Sequence, residues 1–176
     1  MKYAVIKKND IANGTGVRVS LFVSGCSHRC AGCFNSEAWD YDYGQPFTQS
    51  VIDEILSACA PDYVRGLSLL GGEPLDPLNQ EGVCTLLRQF KEAYPTKDVW
   101  CYTGYVYDPD LMIGGRAYGI HTYEILSSVD VLVDGPFVDK LRSLKLKFRG
   151  SSNQRIIDMP STLKQNRVIL LDENKY

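Results

Sequence analysis

Cys26, Cys30 and Cys33 share one short stretch, Gly25-Cys26-Ser27-His28-Arg29-Cys30-Ala31-Gly32-Cys33-Phe34-Asn35. Three thiols spaced x3 and then x2 can face a single iron–sulfur cluster and leave one iron without a protein ligand. A cluster that only carries electrons is usually closed by four cysteine thiolates, so a compact group of three leaves one site for a substrate or cofactor. The loop also admits a zinc site, because Cys26, His28, Cys30 and Cys33 offer four tetrahedral ligands. Against zinc, the Cys26-Ser27-His28 step is tighter than the usual knuckle, and no second cysteine pair follows at a finger-like distance. Cys59, Cys84 and Cys101 stand singly within apolar runs and are expected to pack as small hydrophobes. A disulfide framework belongs to short secreted chains. The N-terminus, Met1-Lys2-Tyr3-Ala4-Val5-Ile6-Lys7-Lys8, lacks the apolar run of a signal peptide, so a cytoplasmic chain is expected. His28 is expected to be a solvated or partner-facing loop residue and not a ligand.

A second group lies in Gly71-Gly72-Glu73-Pro74. Glycines without Cβ let backbone approach a ligand closely, and Glu73 can accept a hydrogen bond from a charged amine. The same turn serves equally as a strand-to-helix connection needing positive φ. Thr103 and Asp134 end apolar strands, where each can contact a ligand or cap a turn. Arg149, Ser151 and Asn153 make a polar loop that can meet a ribose, a carboxylate or a partner protein, or simply turn the chain.

These residues need elements to bring them together. Val17 to Ser24 alternates and then becomes apolar, as a strand entering a core does, and the cysteine loop follows at once. Thr48 is placed to N-cap a helix from Gln49 to Ala60, with Pro61 closing it. A buried strand Leu67–Leu70 runs into the glycine turn, and helical periodicity returns from Gln80 to Tyr94. Val99–Thr103 reads as a strand, a helix is expected between Pro109 and Ser128, and Val131–Val133 is a further strand. The tail, 148–157 and 168–171, is expected to add strands whose pairing is left open. Alternating strands and helices imply parallel strands joined by right-handed crossovers, with the chemistry at the strands' carboxyl ends. The units are too few for a closed eight-stranded barrel. The expected fold is therefore α/β, an open partial barrel of mostly parallel strands, in one domain spanning residues 1–176. The 176 residues are 44% hydrophobic and 23% charged, and 19 basic residues against 21 acidic leave a net charge of −2. That balance gives no general drive toward nucleic acid, and no stretch approaches the roughly 20 apolar residues of a membrane span.

The blocks in order carry a resemblance. C-x3-C-x2-C after the first main strand and Gly-Gly-Glu-Pro after the second are similar to the radical S-adenosylmethionine (SAM) superfamily. Phe22 to Cys26, Gly32 to Asn35, Gly44 to Thr48, Gly71 to Leu75, Trp100 to Tyr105, Val133 to Gly135 and Phe148 to Gln154 resemble one branch of it, the activases of anaerobic ribonucleoside-triphosphate reductases. The resemblance implies that Cys26, Cys30 and Cys33 bind three irons of a [4Fe-4S] cluster whose fourth iron chelates SAM. It further implies that Gly32, Cys33, Phe34, Gly71, Gly72, Glu73, Thr103 and Asp134 lie at the cofactor. Reductive cleavage of SAM would then yield a 5′-deoxyadenosyl radical that takes hydrogen from a glycine of the large reductase subunit, with an electron donor such as a flavodoxin. Two positions depart from common patterns. Gly32 stands where many superfamily members carry an aromatic residue, and Glu73 where the activases often show Asp. The alternatives are a zinc-binding interaction module and an activase of a different glycyl-radical enzyme.

Overall fold

A computed structural model describes residues 1–172. The chain opens with an antiparallel pair, β1 (Lys2–Asp10) and β2 (Val17–Val23), and β3 (Gln45–Pro46) pairs with β1 from the other side. After α1 (Gln49–Cys59) come β4 (Val64–Gly71), α2 (Gln80–Ala93) and β5 (Asp98–Tyr102). Two short helices, α3 (Tyr107–Asp110) and α4 (Thr122–Ser128), lead to β6 (Val131–Asp134), β7 (Arg155–Asp158) and α5 (Met159–Gln165). The strand order in the single sheet is β3-β1-β2-β4-β5-β6-β7. Its centre, β2-β4-β5-β6, is parallel, while β1, β3 and β7 pair antiparallel. The parallel strands are buried almost throughout, which is why they read as near-continuous apolar runs. β3 and β7 form opposite edges, so the sheet stays open and closes no barrel.

Side chains alternate between two faces. Leu21, Leu69, Cys101, Leu132 and Ile157 point to the helices and meet Ile55, Val83, Leu87, Phe90 and Ile125 in one core. The other face carries Ser20, Ser68, Trp100 and Tyr102, with Val131, Val133 and Ile156 beside Trp100. At the strands' amino ends Arg18 is fully buried. Its Nε donates to Ser68 Oγ at 2.7 Å, its Nη2 to Leu67 O at 2.8 Å, and its Nη1 lies 2.5 Å from Asp98 Oδ1. That end of the sheet is sealed.

Three local outcomes differ from expectation. Thr48 occupies the N-cap backbone position of α1, but its hydroxyl pairs with Ser50 Oγ at 2.8 Å and not with a helix N–H. The helix anticipated between Pro109 and Ser128 is two short pieces, because Gly114 adopts φ +88° and a Cβ on Gly115 would lie 2.3 Å from Asp110 O. Among the described residues the tail gives β7 plus two isolated bridges, Arg142 with Ser151 and Ile157 with Leu170. No helix of the described residues is long and apolar enough to cross a membrane.

Candidate iron–sulfur and cofactor site

The cysteine loop leaves the end of β2 and lies against the turn leaving β4. Glu73 N donates to Gly25 O at 2.8 Å and Gly72 N to Val23 O at 2.7 Å, so the two turns are joined backbone to backbone. A Cβ on Gly72 would sit 2.5 Å from Gly25 O and 2.9 Å from Ala38 O. Glycine here serves the close approach of the cysteine loop itself. Asn79, at the N-cap of α2, donates from Nδ2 to Ser24 O and Glu73 O, each at 3.0 Å. Asp76 accepts from Tyr41 Oη at 2.7 Å and Ser27 Oγ at 3.2 Å, which pins the loop from its outer side. Neither Asn79 nor Asp76 was picked out from the sequence. Both sit just beyond the glycine turn, where an Asp-Pro step and an Asn directly before a helical run are the signals that would have found them.

Cys26, Cys30 and Cys33 line one cavity of about 230 Å³ at the carboxyl ends of the parallel strands, together with Phe34, Glu73 and Thr103. Burial pushes the Cys26 thiol up to about 11 and raises that of Cys30, while backbone N–H groups of His28 and Arg29 toward Cys26, and of Phe137 toward Cys30, pull the other way. Asn35 N donates to Cys33 Sγ at 3.4 Å. Backbone N–H groups aimed at the sulfurs suit the hydrogen-bonded sulfurs of an iron–sulfur cluster. A tetrahedral zinc with bonds near ~2.3 Å needs its ligand atoms within about 4 Å of one another. Among the described residues the ligand atoms of Cys26, His28, Cys30 and Cys33 make no group of three within 4.8 Å, whereas Cys84, His121 and Glu124 do. The loop's spread thiols therefore fit a multi-iron cluster better than a single zinc ion.

His28 is not the solvated residue expected. Its side chain is 10% exposed, Nε2 lies 3.1 Å from Glu73 Oε2, and its ring packs edge-on to Tyr105 with centroids 4.4 Å apart. Room comes from Gly104, where a Cβ would fall 2.6 Å from His28 Cδ2. This berth depends on residues far along the chain, so the loop's own sequence could not reveal it. Glu73 is 1% exposed. Its Oε1 accepts from Thr103 Oγ1 at 2.7 Å and Leu75 N at 2.9 Å, and Oε2 from Gly104 N at 2.7 Å. Glu73 and Thr103 are thus brought together on the cavity wall beside Gly71 and Gly72.

Asp134 is not brought to that wall. Its carboxylate accepts from Arg155 Nε at 2.9 Å and Nη2 at 2.5 Å and from Tyr107 N at 2.8 Å, so it caps the start of α3 and anchors β7. Gly32 adopts φ +74° and turns the loop between Cys30 and Cys33 beside Asp139, outside the cavity lining. Phe34 lies on the rim, 73% exposed, with its ring 5.9 Å from that of Phe137. The polar loop is largely self-contained: Ser151 Oγ accepts from Val138 N, Asn153 Nδ2 donates to Pro136 O, and Arg149 Nη1 donates to Gln154 O. Gln154, which carries no site signal of its own in the sequence, lines the cavity and braces Gly150 and Gly135 through its amide.

A 4Fe-4S single cluster domain model matches residues 12–157. The chain is 40% identical over 156 residues to the anaerobic ribonucleoside-triphosphate reductase-activating protein of Enterobacteria phage T4, covering 89% of this chain and 93% of that one. It is 38% identical over 156 residues to the protein of the same name from Escherichia coli K12, covering 88% and 96%. The Vibrio cholerae protein of that name is 39% identical over 158 residues, covering 89% and 97%. With a 4Fe-4S domain over most of its length and such identity across nearly whole relatives, the chain belongs to the family of anaerobic ribonucleoside-triphosphate reductase-activating proteins.

Proposed function

We propose that this chain is a radical SAM activase, a single domain on an open partial barrel, that installs a glycyl radical in the large subunit of an anaerobic ribonucleoside-triphosphate reductase. The observation that carries the reading is the convergence of three thiols from one loop with Glu73 on one cavity, in a chain whose relatives are named for activating that reductase. Cys26, Cys30 and Cys33 would hold three irons of the cluster. Bound there, the cluster and SAM would supply one-electron cleavage to methionine and a 5′-deoxyadenosyl radical able to take hydrogen from a glycine Cα. The chain's own part is placement. Glu73 is held on the cavity wall by Thr103 and Gly104, and there it would accept from the methionyl amine. Gly71 keeps the turn tight against the end of β2 and Gly72 against the cysteine loop. Phe34 on the rim would cover the cofactor, while Asp134 would act one step removed, by fixing the chain around Gly135 and α3.

The site opens at the sheet's carboxyl edge, which suits a polypeptide loop as substrate. An electron donor such as a flavodoxin and a cytoplasmic setting complete the proposal. The test is an oxygen-free incubation of the reconstituted chain with SAM, a reductant and the matching reductase, read by electron paramagnetic resonance. The expected result is 5′-deoxyadenosine together with a glycyl radical on the reductase. Cleavage of SAM with a radical-free reductase would refute the protein substrate, and no cleavage by a chain with its iron loaded would refute the SAM chemistry.

A further inference from the structure

Three metal-ligating side chains meet away from the cysteine loop, where α2 packs against α4. Cys84 on α2, His121 at the N-cap of α4 and Glu124 in its first turn each offer one ligand atom, and these atoms lie within 4.8 Å of one another. None of the three lines the cavity of the cysteine loop. Helix periodicity makes the group: His121 and Glu124 stand three residues apart and so share one face of α4, while Arg88 follows Cys84 by four on α2. Arg88 reaches the Glu124 carboxylate with both Nε and Nη2, the latter at 2.6 Å from Oε2, which shows that these two faces meet. Cys84 is 1% exposed and forms the floor, while His121 and Glu124 are half-buried and open toward solvent, so an ion can enter from outside. Burial, and a hydrogen bond to the Glu124 carboxylate, push the Cys84 thiol up to about 11. A thiol, an imidazole and a carboxylate in one place make a donor set that suits zinc, and three protein ligands leave the fourth tetrahedral position to water. Ligand atoms around such an ion lie about 4 Å apart or less, which a small side-chain rotation supplies here. The ion pair with Arg88 is no obstacle. Both of its side chains are well exposed, at 59% and 41%, and exposed pairs contribute little. A carboxylate has lone pairs enough for a metal and an arginine together, so Arg88 can stay as the outer partner that orients the ligand.

We infer that Cys84, His121 and Glu124 form a zinc site, with water as the fourth ligand, that ties α4 to α2. The ion displaces the thiol proton, which leaves to solvent as the sulfur–zinc bond forms, and nothing is oxidised or reduced. The site is independent of the cluster and of the SAM reading above.

The experiment uses the full chain with its cluster reconstituted without oxygen, titrated with Zn2+ against a chromophoric chelator, then dialysed and counted for zinc and iron. The expected result is one zinc per chain beside undiminished iron, and a melting temperature that rises with zinc. His121→Ala removes a half-buried ring and is expected to weaken zinc roughly tenfold or more and to abolish that rise, with iron unchanged; Cys84→Ala should do the same. A second probe is Co2+ added to the Cys26→Ala, Cys30→Ala, Cys33→Ala triple variant, where a near-ultraviolet thiolate-to-cobalt band is expected and should vanish on adding Cys84→Ala. Equal zinc affinity in His121→Ala and wild type marks adventitious surface metal and overturns the site. So does a wild type that retains no zinc, zinc gained only at the expense of iron, or a triple variant of native circular dichroism without the cobalt band.

Discussion

Replacing Glu73 by Ala is expected to unsettle the fold as much as the site. The carboxylate is 1% exposed and answers three donors, Leu75 N at 2.9 Å, Thr103 Oγ1 at 2.7 Å and Gly104 N at 2.7 Å, with His28 Nε2 a further 3.1 Å contact. Truncation strands two backbone N–H groups and a hydroxyl inside the cavity wall. Each buried group left unsatisfied costs about 1–3 kcal/mol, but losses within one network do not add. The expected total is about 3–5 kcal/mol, the range for breaking a buried, hydrogen-bonded charge. At 2–4 °C per kcal/mol for a chain of this size, that is a fall of roughly 6–20 °C in melting temperature. Glu73→Gln keeps the shape and one accepting oxygen while presenting an NH2 group to a donor, so it should recover part of the loss. The assay is thermal unfolding of the cluster-free protein, with circular dichroism as the readout. A Glu73→Ala protein that melts within about 2 °C of wild type would show that the network is not structural, leaving Glu73 with a ligand contact alone.

Two further outcomes follow from burial and charge. Cys26→Ala, Cys30→Ala and Cys33→Ala should each lose cluster iron on anaerobic reconstitution, whereas Cys59→Ala, Cys84→Ala and Cys101→Ala, whose thiols sit in the core at 1% exposure or less, should keep it; iron loss in Cys84→Ala equal to that in Cys30→Ala would contradict the assignment. Hydrogen bonds from Arg116 hold the Asp110 carboxyl below its ordinary 3.8. A carboxyl depressed in the folded state stabilises fully above the unfolded value and loses that contribution as pH falls through the folded one, so below about pH 4 wild type should lose melting temperature more steeply than Asp110→Asn, and parallel acid limbs would refute this.

The site's first half was legible because its signals are local. The cysteine spacing, the glycine turn and the strands before them lie within single segments, and the apolar runs of β2, β4 and β6 reflect burial on both faces of a parallel centre. β1 was missed for the opposite reason. Lys2–Asp10 is an edge-side strand with an exposed, lysine-bearing face, and its identity comes from pairing with β2 and β3. His28 looked solvated because its berth is made by Gly104 and Tyr105, two strands away. Asp134 looked available because its partner, Arg155, arrives only on the antiparallel β7, whose pairing the tail's sequence left open. The break between α3 and α4 was readable in principle, since Gly114 and Gly115 both stand in the expected helix.

The glycines around the site share one physical role, and it explains how a loop of three thiols can be held still without a helix or strand of its own. Gly25, at φ +92°, admits the Tyr41 ring where a Cβ would fall 2.1 Å from Tyr41 Cδ1; Gly72 admits the carbonyl of Gly25; Gly104 admits His28. Gly25 folds the loop after β2 on itself, and Gly72 and Gly104 are each filled by that loop, so the loops after β2, β4 and β5 interlock as a close-packed stack. Hydrogen bonds then cross the same contacts: Tyr41 to Asp76, Glu73 N to Gly25 O, and Thr103 to Glu73. Such a stack resists small displacements because any one loop moves only by displacing the others. What it leaves uncovered, the exposed ring of Phe34, sits on the cavity rim, where a ligand can cover it without disturbing the stack.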